Sequence, residues 1–193
     1  MGKTLELASL TGSRLCHDLI SPLGAIGNGL ELMSWAGVPE TPEFNLIRES
    51  FMSAQARISF FRIAFGPAKD GEEKSGSELM NTINAYVNTN RMTVDWSPNQ
   101  TVPHPRAKLV FLLIMCLEHA MPYAGTITIS ADGTKLHARS DALSPVESSW
   151  NILKGASPDR AAEVQFAVAA EQAENMGVAL SVKISPQQIT IAA

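Results

Sequence analysis

Apolar residues recur every three to four positions over residues 4–35, with Pro22 the one strong breaker inside the run, and the pattern stops at Ala36-Gly-Val-Pro39. That spacing predicts one long amphipathic helix. A second periodic stretch, 43–65, is opened by Thr41-Pro42 and closed by Gly66-Pro67. Proline at the start and glycine just past the end mark it as a second helix, so the two form a helical hairpin. Residues 68–76 are polar, charged and glycine-containing and read as a linker.

Beyond the linker, helix-like and strand-like segments alternate. Ser77 is the expected N-cap of a helix running to about 90. A strand over 92–96, a proline-rich loop through Pro105 and a buried helix over 106–121 follow. Segments 126–130 and 135–139 flank Ala131-Asp-Gly133, a hairpin signal. Ser157-Pro158 opens a helix to about 176 that Gly177 stops, and 178–184 with 188–191 form a closing hairpin. The expected fold class is α+β, with a helical hairpin at 1–67 followed by an α/β sandwich at 77–193.

Composition narrows the function classes. With 193 residues, 45% hydrophobic and 18% charged, the chain can bury a core and is neither disordered nor fibrous. A formal charge of −4 with no long basic run gives no footprint for nucleic acid or an anionic membrane. The longest apolar run, Leu109 to Leu117, is nine residues, about half of what spans a bilayer. With no hydrophobic signal core after Met1, the cytoplasm is the expected location. Cys16 and Cys116, the only two cysteines, are expected to be free thiols.

On a wheel at about 100° per residue, Leu15, Leu19, Leu23, Ile26, Leu30 and Met33 fall in one sector, the expected buried seam. His17 lies on the opposite side, in a row with Arg14, Ser21, Gly24, Asn28 and Glu31, and is expected to face solvent. Asp18 adjoins it, and Pro22 stands five residues on, where a mid-helix proline costs about 3 kcal/mol. Gly24, Gly27 and Gly29 each cost the helix on the order of 1 kcal/mol against alanine. They either leave a low surface beside His17 or let helices pack closely, and the sequence leaves both readings open.

Arg14-Leu-Cys-His-Asp-Leu-Ile-Ser-Pro-Leu23 resembles the phospho-acceptor box of two-component histidine kinases, which sits on the first helix of a dimerising hairpin. The remainder is similar in order to the ATP-binding domain that follows such hairpins, but with departures. Cys116 and His119 stand at the two asparagine positions that would hold Mg²⁺ and the triphosphate. Asp141-Ala-Leu-Ser-Pro145 replaces the first glycine loop, and Gly155 is the only glycine between Gly133 and Gly177. A nucleotide lid needs glycines for close backbone approach to phosphate. A kept histidine beside a stripped nucleotide site is the layout of the bacterial ChpT-like histidine phosphotransferases, which this chain resembles along nearly its whole length.

The resemblance implies an enzyme that takes a phosphoryl group from a receiver-domain aspartate, in a hybrid histidine kinase, onto His17. The group then passes to the receiver domain of a response regulator in a multistep phosphorelay. Asp18 would orient or deprotonate the ring, or be a plain surface charge. Arg14 would meet the phosphoryl group or acidic receiver loops, or be solvated. Ser21 would position the phosphate or be a plain helix-surface serine, and with Gly24 and Asn28 it completes the candidate phosphoryl and partner face. The resemblance further implies a homodimer in which two hairpins form a four-helix bundle. No metal or ATP is expected to be bound by this chain, and Mg²⁺ would belong to the receiver. Ile47, Phe51, Ala54, Ile58, Phe61 and Phe65, widened by Met52, Phe60 and Ile63, give the second helix a face too broad for burial in one hairpin. The competing readings are a non-catalytic dimeric scaffold for receivers, an ATP-dependent histidine kinase, and a metal-dependent phosphohydrolase built on His17-Asp18. The last needs further ligands, and His104, His119 and His137 are unpaired in sequence and read as structural.

Overall fold

A computed structural model describes residues 2–88 and 92–193, with side chains from Leu10 onward. Helix α1 spans Gly2–Trp35 and α2 spans Pro42–Phe65, making the hairpin. At ~1.5 Å per residue the 34-residue α1 is about 51 Å long, and it runs through Pro22 without interruption. Thr41 caps α2 by accepting a hydrogen bond from the Phe44 amide at 3.3 Å, with Pro42 at the first helical position.

The hairpin buries less than the wheel predicts. Cys16 is buried and Gly12, Leu23, Gly27 and Leu30 are half-buried, whereas Leu15, Leu19, Ile26 and Met33 remain exposed, at 59%, 51%, 49% and 44%. The apolar arc of α1 is about 120° wide, and one partner helix covers only half of it. The covered half is set by Gly27, because a Cβ there would lie 2.5 Å from the tip of the Phe51 ring.

Helix α2 presents its other side to the rest of the chain. Phe60 is fully buried, its ring 4.0 Å from that of Tyr86 and 4.5 Å from that of Phe111. Tyr86 belongs to α3 (Gly76–Val87) and Phe111 to α4 (His104–His119). Phe60 and Ile63 therefore pack into the main core, which corrects the expectation that they widen a face left open by the hairpin.

The linker is also more structured than its composition suggests. Glu73–Ser75 forms β1, paired antiparallel with β3 at Thr101–Pro103 in a two-stranded sheet. Helix α3 begins at Gly76, so Ser75 and not Ser77 occupies the cap position, with the two hydroxyls 2.8 Å apart. The expected extension of this helix to about 90 lies partly outside the described residues.

A five-stranded mixed sheet has the order β2-β4-β5-β7-β6, with β2 at Met92–Trp96, β4 at Gly125–Ile129, β5 at Lys135–Arg139, β6 at Ser181–Ser185 and β7 at Gln188–Ala192. β2 and β4 run parallel and the other pairs antiparallel. Ile127, Ile129, Leu136, Ala138, Ile189 and Ile191 alternate inward against the helices. α4 lies in the middle of the core, with Leu109 to Ile114 all fully buried. The predicted helix from Ser157 is corrected as well: a short α5 (Glu147–Ile152) comes first, and a 3-10 turn at Ala161–Glu163 leads into α6 (Val164–Asn175). Gly177 closes α6 with a left-handed φ of 66°. Among the described residues no helix is long and apolar enough to cross a membrane.

Candidate functional site

Because α2 covers the Cys16 side of α1, His17 points outward, with 82% of its side chain exposed. Its Nδ1 lies 3.3 Å from Asp18 Oδ1. A carboxylate can only accept, so in this contact Nδ1 is the donor, and Nε2 is the ring nitrogen left to solvent. Asp18 is held in turn by Arg14, whose Nε donates to Oδ2 at 2.8 Å. The Arg14 hydrogen bond first, and the His17 contact second, hold the Asp18 carboxyl below its ordinary pKa. A chain Arg14–Asp18–His17 thus runs along one surface of the helix. The i,i+4 spacing of Arg14 and Asp18 was visible in sequence, yet the guanidinium Nε turns out to be committed to the carboxylate.

Ser21 and Asn28 are exposed and Gly24 half-buried further along the helix. A Cβ at Gly24 or at Gly29 would meet nothing within 4 Å, unlike one at Gly27. Gly27 therefore serves hairpin packing, whereas Gly24 makes no close contact within the chain and lies on the same side of the helix as His17. Arg62 of α2, which the periodicity of α1 could not bring to attention, acts electrostatically on Cys16 and partly offsets the upward push of burial on that thiol.

At the former asparagine positions, Cys116 is fully buried, and burial pushes its thiol well above the ordinary range. The His119 ring stands edge-on to Phe166 at 5.6 Å, and Phe166 edge-on to Trp150 at 5.3 Å. The segment joining α5 to α6 is fastened by Glu163, which accepts from Arg160 at 2.6 Å and from Ser149 at 2.8 Å. Those two donors lower its carboxyl to about 2. His104 contacts Glu72, and His137 bridges Thr190 and Arg139 across the sheet. Among the described residues no group of three or more His, Cys, Asp or Glu side chains could hold a metal ion.

An outward histidine on a hairpin joined to a mixed-sheet domain is the architecture of a phosphotransfer protein, and comparison with known proteins agrees. The family model described as Histidine phosphotransferase C-terminal domain matches residues 76–188. The chain belongs to the histidine phosphotransferase family. It is 34% identical over 137 residues to the protein phosphotransferase ChpT of Brucella abortus (strain 2308), an alignment covering 70% of this chain and 65% of that protein. A solved bacterial phosphotransferase superposes with a TM-score of 0.71 at 26% identity, over 99% of this chain and 96% of that one.

Proposed function

We propose that this chain is a phosphorelay intermediate that carries the phosphoryl group on His17. The observation that carries the reading is the exposed His17 ring, fixed through Nδ1 by Asp18 so that Nε2 faces solvent. Phosphoryl transfer asks a protein mainly for positioning and charge neutralisation. The Nε2 lone pair attacks the phosphorus of an aspartyl phosphate on a receiver domain, in line with the departing carboxylate. The N–P bond forms as the O–P bond breaks, and the positive charge gained by the ring is shared with Asp18 through the Nδ1 hydrogen. The next receiver's aspartate reverses these bond changes.

Asp18 is the orienting group, and Arg14 acts by holding Asp18 while its remaining guanidinium nitrogens face the partner. Ser21, Gly24 and Asn28 form the surface on which the receiver lands. Mg²⁺ comes from the receiver's acidic pocket. The chain does not use ATP, a reading supported by the buried Cys116 and by the aromatic packing of His119 on Phe166. Two hairpins pair through Leu15, Leu19, Ile26 and Met33 of α1 and the exposed Ile47 and Met52 of α2 to form a homodimeric four-helix bundle. The reaction belongs in the cytoplasm, where hybrid kinases and response regulators present their receivers.

The test is incubation of the full chain with a radiolabelled, phosphorylated receiver domain. Label is expected on this chain as a phosphoramidate, lost in acid and kept in alkali. Acid-stable label, or none, overturns the reading.

A further inference from the structure

Where the hairpin meets the sheet domain, a cavity of about 200 Å³ is lined by Ser13 of α1, Ser59 and Arg62 of α2, Lys74 of β1, Glu78 of α3 and His104 of α4. Five elements converge there, and the side chains they supply are mostly hydrogen-bond donors. Arg62 and Lys74 supply a guanidinium and an ammonium group to the wall. Among the described residues neither has a carboxylate within 4.0 Å, since the ion pairs formed are Arg14–Asp18, His17–Asp18, Arg48–Glu40, His104–Glu72 and Arg160–Glu163. Glu78 shares the wall of the cavity without pairing to either cation.

His104 adds a buried polar group. It is 8% exposed, and its Nδ1 lies 3.1 Å from Glu72 Oε2. A carboxylate accepts only, so Nδ1 carries the hydrogen, and no described residue bonds Nε2. Basic groups that share a cavity wall repel each other, modestly here because Arg62 is exposed to water and Lys74 half-buried. An anion held between them offsets that repulsion.

We propose that this junction cavity binds a small phosphate-type oxyanion. A guanidinium fork and an ammonium group suit a tetrahedral anion with several acceptor oxygens, and the Ser13 and Ser59 hydroxyls can each donate once more. At ~30 Å³ per water the cavity has room for such an ion with part of its hydration. The bound ion would bridge residues from α1 and α2 to residues from β1 and α4, and so stiffen the hairpin against the sheet domain. The site is separate from the His17 ring and does not depend on phosphotransfer.

The experiment is thermal unfolding of the full chain with inorganic phosphate against sodium chloride at matched ionic strength, alongside ³¹P line broadening. Phosphate at about five times its dissociation constant is expected to raise Tm by about 2–4 °C in the wild type and in His17→Ala. Lys74→Gln and Arg62→Gln, which keep side-chain bulk, are expected to lose the Tm shift and the line broadening. No shift beyond the chloride control, or an equal shift in Lys74→Gln, overturns the proposal. A shift with a glutamate-rich peptide but none with phosphate reassigns the cavity to a protein carboxylate and overturns it as well. Loss of phosphate binding in His17→Ala would place the anion at the phosphotransfer site and equally rule out the junction cavity.

Discussion

The hairpin and the sheet domain solve the problem of apolar surface in opposite ways. In α4, six consecutive residues from Leu109 to Ile114 are fully buried, because α2 and α6 pack against it on different sides. In α1, Leu15, Leu19, Ile26, Leu32 and Met33 are each more than 40% exposed, because among the described residues α2 is the one element that α1 packs against extensively. The sheet domain therefore closes on itself, whereas the hairpin is left with apolar surface unspent. His17, the proposed phosphoryl carrier, belongs to the unfinished region, whereas the sheet domain is largely closed core. The proposed chemistry is the kind that needs an exposed side chain and a partner.

Several measurements would break or sharpen this contrast. The largest expected effect is on transfer itself: His17→Ala should abolish labelling by a phosphorylated receiver while the far-ultraviolet circular dichroism stays unchanged, since an 82%-exposed side chain contributes little to the fold. Ile26→Glu, placed on the open half of the arc, should convert a dimer to a monomer by light scattering without lowering the monomer's own stability; a wild type that is already monomeric removes the explanation for that exposed face. Phe60→Ala lies where the two regions meet and should cost about 3–5 kcal/mol in denaturant unfolding. A much smaller loss would mean that hairpin and sheet domain are not one cooperative unit.

Asp18→Asn should slow transfer roughly 10²-fold with little change in stability. The Asp18 carboxyl is held below its ordinary pKa, so its contribution is present above the ordinary carboxylate range and is lost only as pH falls through its lowered value. The ratio of the wild-type rate to the Asp18→Asn rate should accordingly hold steady through the acidic range in which an unassisted carboxylate would begin to protonate, whatever protonation of the imidazole does to both rates. The smallest effect compares two glycines of one helix. Gly24→Ala enters open space and should gain up to about 1 kcal/mol, whereas Gly27→Ala meets Phe51 and should lose about 1–3 kcal/mol.

What could be read from the sequence follows from what is local. Both hairpin helices, the Thr41-Pro42 start of the second and the β4–β5 and β6–β7 hairpins were legible, because periodicity and turn residues are properties of neighbouring positions. The outward direction of His17 was legible for the same reason. Strand β1 was missed because Glu73-Lys-Ser75 is short and polar and gains its conformation only from pairing with β3. The start of α6 was misplaced at Ser157-Pro158, since what fixes that segment is the contact of Glu163 with Ser149, fourteen residues away. The destination of Phe60 depended on which surface would reach α2 first, and a helical wheel carries no information on that. The commitment of Arg14 to Asp18 needed a rotamer as well as a spacing.

The angular separation on α1 bears on valency. His17 and the open half of the apolar arc lie about half a turn apart around a helix some 51 Å long. The proposed self-association and receiver docking therefore draw on different faces and would not compete for area. Under the proposed pairing the two histidines would look away from the shared axis, so each particle would offer two independent ports. Occupancy of one port would leave the other open, and a dimeric relay would hold zero, one or two phosphoryl groups at once.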